Sequence, residues 1–216
     1  MSAQKKGMLI TVEGIEGVGK STAVKYIQEY LTAAQLNFVI TREPGGTRVA
    51  EEIRQILLTP HTDEKITADT ELLLMFACRS QHIANTVLPA LQAGKWVISD
   101  RFLDASYAYQ GGGRQMNLLY IEFLEKWIVN NLKPTLTILL DASPEIGLQR
   151  AKHRGAQDRI EQEKIDFFER VRAAYLSRAA KDPARFRVIN AEKAWVDVQH
   201  ELKKILDECR ISNRSS

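Results

Sequence analysis

The sequence predicts an α/β fold, a three-layer α/β/α sandwich built on a five-stranded parallel sheet. Two observations predict it. Short, β-branched apolar runs alternate with segments of helical period along the chain, an order that pairs strands in parallel and lays helices over both sheet faces. The runs are continuous rather than alternating, which is how strands covered on both faces read.

The first run is Met8-Leu9-Ile10-Thr11-Val12, and Val24, Ile27 and Leu31 follow it at helical spacing. Phe38-Val39-Ile40-Thr41 comes next, ahead of a helical face of Val49, Ile53, Ile56 and Leu57. Leu72, Met75, Phe76 and Ile83 mark a third helix before the strand Trp96-Val97-Ile98-Ser99. Ile121, Leu124 and Ile128 precede Leu136-Thr137-Ile138-Leu139-Leu140, and Ile165, Phe168, Val171 and Tyr175 precede Phe186-Arg187-Val188-Ile189. Val198, Leu202, Ile205 and Cys209 form the last helical face, so five strands and at least six helices are expected. The Gly-Gly-Gly run at 111–113 and the charged stretch at 150–163 read as mobile loops, and 211–216 as a frayed tail. In sheets of this class, ligands gather at the carboxyl ends of the strands.

At 216 residues the chain suits a single domain, 1–216, that needs no disulfide or metal staple. Its apolar fraction of 44% and charged fraction of 26% are those of a globular protein. No segment approaches the eighteen or so apolar residues a membrane helix needs, and the polar, basic start leads into too short an apolar run for a signal peptide. A cytoplasmic protein is expected. Cys78 and Cys209 lie far apart with no C-x-x-C spacing and read as small buried apolar residues. His61, His82, His153 and His200 form no ligand spacing, which argues against a metal-centred hydrolase. The net charge of +3 arises from cations interspersed with acids, so small anionic ligands explain it as well as nucleic acid would.

Directly after the first strand stands Gly14-Ile15-Glu16-Gly17-Val18-Gly19-Lys20-Ser21, a complete G-x-x-x-x-G-K-S/T pattern that opens a helix with Thr22. Its glycines let backbone N–H groups turn inward around phosphates, and the helix start adds partial positive charge. Lys20 is placed to reach the β- and γ-phosphates and Ser21 to ligand Mg²⁺. The fold is therefore of the P-loop NTPase type, with ATP or GTP as ligand. An N-K-x-D tetrapeptide for reading guanine is missing from the sequence, and so short a chain points to a small-molecule kinase rather than a motor.

Thr41-Arg42-Glu43-Pro44-Gly45-Gly46-Thr47, Asp100-Arg101-Phe102 and Ala108-Tyr109-Gln110-Gly111, each at its interval from the phosphate loop, resemble the motifs of bacterial thymidylate kinases over almost the entire chain. The resemblance implies ATP- and Mg²⁺-dependent phosphorylation of thymidine monophosphate to the diphosphate, on the way to dTTP, by a homodimer. It implies that Arg42, beside Pro44, and Arg101 clamp the acceptor phosphate, a task for which guanidinium forks suit. Asp100 resembles the carboxylate near the metal's waters, with a structural Asp-Arg pair as the alternative. Phe76 and Arg79, three apart and so on one helix face, resemble the pair that stacks on thymine and donates to its edge; either one alone reads equally as core or surface. Glu13 resembles the acid near the 3′-hydroxyl, Tyr109 the residue that crowds the 2′ position, and Ser106 and Gln110 line the same stretch. Phe102 and Ala105 depart from the family's usual Tyr or His and its serine.

The stretch 150–161 carries Arg150, Arg154 and Arg159 around a glycine, where a lid closes over a triphosphate. Phosphoryl transfer needs a cation on the moving group. The phosphate loop's variable positions, Ile15, Glu16, Gly17 and Val18, hold no basic side chain, so the lid has to supply it. Arg154, tethered by Glu16, is the first candidate and Arg159 the second, with Arg150 stacked on adenine. Two rival readings remain: a kinase of another nucleoside monophosphate, and a nucleotide-binding regulatory protein without efficient transfer.

Overall fold

The computed structural model describes residues 7–60, 63–152 and 158–214. Five strands, β1 (Met8–Glu13), β2 (Phe38–Arg42), β3 (Trp96–Asp100), β4 (Leu136–Asp141) and β5 (Phe186–Asn190), form one parallel sheet in the order β2-β3-β1-β4-β5. This is the expected sandwich. The register sets Ile10 of β1 opposite Ile98 of β3 and Leu136 of β4, while Arg42 of β2 pairs with Asp100. Each strand runs one residue beyond its apolar run, and the added residue is polar: Glu13, Arg42, Asp100, Asp141 and Asn190.

The pleat sends successive side chains of β1 to opposite faces. Met8, Ile10 and Val12 pack into a core with Ile27 and Leu31 of helix α1 (Lys20–Ala33), Phe168 and Val171 of one later helix, and Leu202 of another. Leu9 points into a second core with Leu72 and Phe76. Among the described residues the remaining helices are α2 (Arg48–Leu58), α3 (Ala68–His82), α4 (Leu88–Gln92), α5 (Leu103–Ser106), α6 (Leu118–Leu124), α7 (Pro144–Lys152), α8 (Ile165–Lys181) and α9 (Trp195–Arg214). Thr47, Thr67 and Asn117 cap α2, α3 and α6 by accepting hydrogen bonds from Ala50, Thr70 and Leu119. On α2 the buried residues are Ala50 and Leu57, whereas Val49 and Ile56 stay exposed, so its apolar face is narrower than its period suggests.

Wider turns of π type continue α3, α5 and α6, over Ile83–Val87, Tyr107–Gly113 and Glu125–Val129. The middle one corrects the reading of 111–113 as a mobile loop. These glycines lie in a helical turn pressed against α8: a Cβ at Gly112 would sit 2.6 Å from the Ala174 Cβ, and one at Gly113 2.4 Å from the Phe167 ring. Glycine is there for close approach. Cys78 is buried as expected, but Cys209 is only half-buried on α9.

Candidate active site

The strand order reverses beside β1, and the carboxyl ends of β1 and β3 open on a cavity of about 490 Å³. Its floor is the loop from β1 to α1. Gly14, Gly17 and Gly19 have φ of +135°, +73° and +93°, in the region where a side chain strains the backbone. At Gly17 space matters as well, because a Cβ would fall 1.8 Å from the carbonyl oxygen of Gly147 on α7. Ile15 and Val18 turn inward to the core, which anchors the loop. Lys20 Nζ donates to the carbonyls of Gly14 (3.0 Å) and Ile15 (2.7 Å), which keeps the ammonium at the loop. Burial, then the positive charge of Arg101, lowers its pKa to about 8. Ser21, Thr22 and Asp100 line the same cavity.

Arg101 follows β3 at φ +70°, fixed by its N–H on the Val12 carbonyl at 3.0 Å. Its guanidinium reaches Gly14 O at 2.9 Å and Glu16 Oε1 at 2.8 Å and lies 4.8 Å over the Tyr109 ring. Tyr109 donates its hydroxyl to both Glu16 oxygens at 2.8 Å, so loop acid, arginine and tyrosine form one cluster. Arg42 lines the cavity and is held from behind by Glu51 at 2.8 Å. Pro44 also lines it, and Arg54 braces that turn through the Pro44 carbonyl at 2.7 Å.

Other sequence-predicted residues stand behind the wall. Arg79 is fully buried, with Nε on Glu43 at 2.8 Å, one terminal nitrogen on Ser106 at 2.9 Å and the other on the Phe102 carbonyl at 3.0 Å. It sits 4.6 Å over the ring of Phe76, which is also buried. Neither side chain lines the cavity; Met75 does, one residue before Phe76. Glu13 is buried too, accepting from Tyr175 at 2.7 Å and from Phe102 N–H at 2.8 Å. Burial, then the charge of Asp104, pushes its pKa up to about 8.

The lid cations divide. Arg150 lines the cavity and donates to the Ala191 carbonyl at 2.8 Å, whereas Arg154 lies outside the described residues, as does any tether to it from Glu16. Arg159 crosses the cavity to donate to Leu57 O at 2.8 Å and Glu71 Oε2 at 2.6 Å. Glu71 was not anticipated from sequence, nor were Arg114 and Glu163, which pair with each other while Arg114 also holds Glu71 at 3.0 Å. The sequence held no separate signal for Glu71, because Arg79 and His82 recur on its helical face and make a charged residue there unexceptional. Gln110 donates Nε2 to Glu71 at 2.9 Å, and its buried Oε1 has no hydrogen-bond partner among the described residues. An orphan acceptor of this kind costs about 1–3 kcal/mol unless a ligand satisfies it.

The arrangement can seat two phosphates side by side, one on the loop and one between Arg42 and Arg101. A family model described as thymidylate kinase matches residues 12–202, which contain every site residue above. The chain belongs to the thymidylate kinase family. Among relatives bearing that name, one from Ruthia magnifica is 47% identical over 94% of this chain and 98% of its own. Another, from Pseudomonas fluorescens, is 51% identical over 93% of this chain and 95% of its own. A crystal structure of thymidylate kinase from Ehrlichia chaffeensis superposes with a TM-score of 0.74 at 31% identity, covering 93% of this chain and 99% of that one. Thymidylate kinases of this family are ATP-dependent nucleoside monophosphate kinases, and the fold described here is theirs.

Proposed function

We propose that the protein transfers the γ-phosphoryl group of ATP to thymidine monophosphate, producing thymidine diphosphate for dTTP synthesis. The observation that carries the reading is the sharing of one cavity by the Lys20 loop and by Arg42 and Arg101. Two phosphorylated ligands held there become near neighbours, so transfer can run in line without a covalent intermediate. Lys20 leaves its loop carbonyls for the β- and γ-oxygens, and the loop amides hold the rest of the tail. Arg101 and Arg42 present the acceptor phosphate, and their charge offsets the build-up on the moving group.

Mg²⁺ fits the donor set: the Ser21 hydroxyl and the Asp100 carboxylate are hard oxygen ligands in the same cavity, and this ion needs few protein ligands besides phosphate and water. Ser21 and Asp100 would hold it, and it would supply positive charge to offset that of the phosphates. Arg154 supplies the remaining cation from a lid at about 150–161 that belongs to one catalytic unit, 1–216, and Arg150 packs on adenine. On the acceptor side Tyr109 and Gln110 line the sugar and base pocket, with Phe76, Arg79, Ser106 and Glu13 forming its backing. Arg154→Ala is expected to lower kcat about a thousandfold or more, in the range seen for arginine fingers, and to leave thymidylate binding nearly intact. Equal turnover in variant and parent removes that assignment.

The working form is a homodimer in the cytoplasm. Leu119, Tyr120, Phe123 and Trp127, exposed by 64%, 58%, 65% and 69%, make an apolar face along α6 and its wider turn, where the Phe123 and Trp127 rings lie 6.2 Å apart. Surfaces of this kind mark interfaces. Among the described residues no helix is long and apolar enough to cross a membrane. The test of function is a coupled ADP-release assay with a panel of nucleoside monophosphates. Thymidylate should lead it; a lead by another monophosphate would pass the assignment to a different kinase.

A further inference from the structure

Glu71 is buried on the first turns of α3 yet lines the acceptor side of the cavity, and the phosphates need nothing from it. Its Oε1 accepts from Gln110 Nε2 at 2.9 Å and Arg114 Nε at 3.2 Å. Its Oε2 accepts from Arg114 at 3.0 Å and from Arg159 at 2.6 Å. Burial opposes charge on this carboxyl, but Arg114, Gln110 and Arg159 outweigh it and hold the pKa below its ordinary value. An ionised carboxylate has no proton to give. The amide edge that Gln110 turns toward it must therefore be NH₂, and the carbonyl edge is left as Oε1, which has no partner among the described residues.

We infer that Glu71 is a specificity-determining positioning residue, which fixes the Gln110 amide so that the acceptor pocket presents a hydrogen-bond acceptor to the base and selects pyrimidines that carry an N3–H. The inference rests on the thymidylate reading above and deepens it. Thymine and uracil offer a donor at N3; cytosine offers a lone pair there and would face Oε1 acceptor to acceptor. A site whose buried polar group is left unpaired by the wrong ligand discriminates far better than an apolar one. Glu71 reaches the base only through Gln110. Arg114 and Arg159, which can only donate, keep the carboxylate from taking any other role.

Substitution Glu71→Gln tests this. Arg114 and Arg159 will claim the new amide's oxygen, so its NH₂ turns to Gln110 and the Gln110 amide rotates to present its own NH₂ to the base. The ratio of kcat/KM for dTMP to that for dCMP should then narrow by at least about tenfold, the scale of one hydrogen bond. The dTMP to dUMP ratio should stay within about twofold, since both bases carry N3–H and the hydrogen-bond scale is not engaged. Both are ratios within one preparation, so the folded fraction cancels. A merely structural Glu71 would leave the first ratio alone or move both together, and either result overturns the inference. Gln110→Leu is the second arm. It leaves Glu71 with both arginines and should narrow the dTMP to dCMP ratio in the same way; parental discrimination in this variant also overturns the inference. A parent enzyme inactive on dTMP would instead sink the functional reading itself.

Discussion

Lys20 is electrostatically burdened in the cavity, because burial and Arg101 both disfavour its charge and bring its pKa from 10.5 to about 8. A triphosphate favours the charged form, so binding must raise that value again. ATP binding should take up protons near pH 8, and affinity should fall as pH rises through about 8. Calorimetry at pH 8 in buffers of different ionisation enthalpy reads the uptake, and none at all would contradict the coupling. Glu13 makes the opposite case. Its carboxyl keeps in the fold, to about pH 8, a proton that the unfolded chain loses near 4.5. Between these values the native state binds more protons, so Glu13's share of stability falls as pH rises. Glu13→Gln should flatten the melting temperature against pH across that window in nucleotide-free protein; an unchanged slope would show that another group dominates. Lys20 and Ser21 were legible in sequence because spacing alone defines their task. Glu71 was not, because a buried acid is recognisable only once Gln110, Arg114 and Arg159 are seen to converge on it.

The strands were legible from apolar content, yet each ends one residue later than its apolar run, at Glu13, Arg42, Asp100, Asp141 and Asn190. The discrepancy has a physical cause at two of them, because Arg42 and Asp100 line the cavity at the carboxyl edge, whereas Glu13 is buried behind it and Asp141 pairs with Arg172. The same holds for Tyr107–Gly113, where glycine content suggested looseness but the π-type turn is packed on α8 to aim Tyr109 and Gln110 at the cavity. Gly113→Ala should cost about 1–3 kcal/mol by forcing the Phe167 ring aside, as overpacked sites do. Urea unfolding measures this; a variant as stable as the parent would mean that α8 yields freely there.

At the scale of the molecule, the three layers and the parallel order followed from alternation alone, whereas the apolar face of α6 had no sequence signature separate from a core face. Phe123 and Trp127 lie at helical spacing like buried residues, and only the fold leaves them 65% and 69% exposed. Trp127→Asp should shift the protein from dimer to monomer in light scattering, and a persistent dimer would place the interface elsewhere. The central claim is that one cavity brings two phosphates together for direct transfer. Its most direct measurement is single-turnover formation of labelled thymidine diphosphate from γ-labelled ATP, in parent and in Lys20→Ala. Label should pass to thymidylate in the parent and slow by at least about a hundredfold in the variant, given the electrostatic stabilisation removed. Equal rates in the two proteins, or no labelled diphosphate in either, would contradict it.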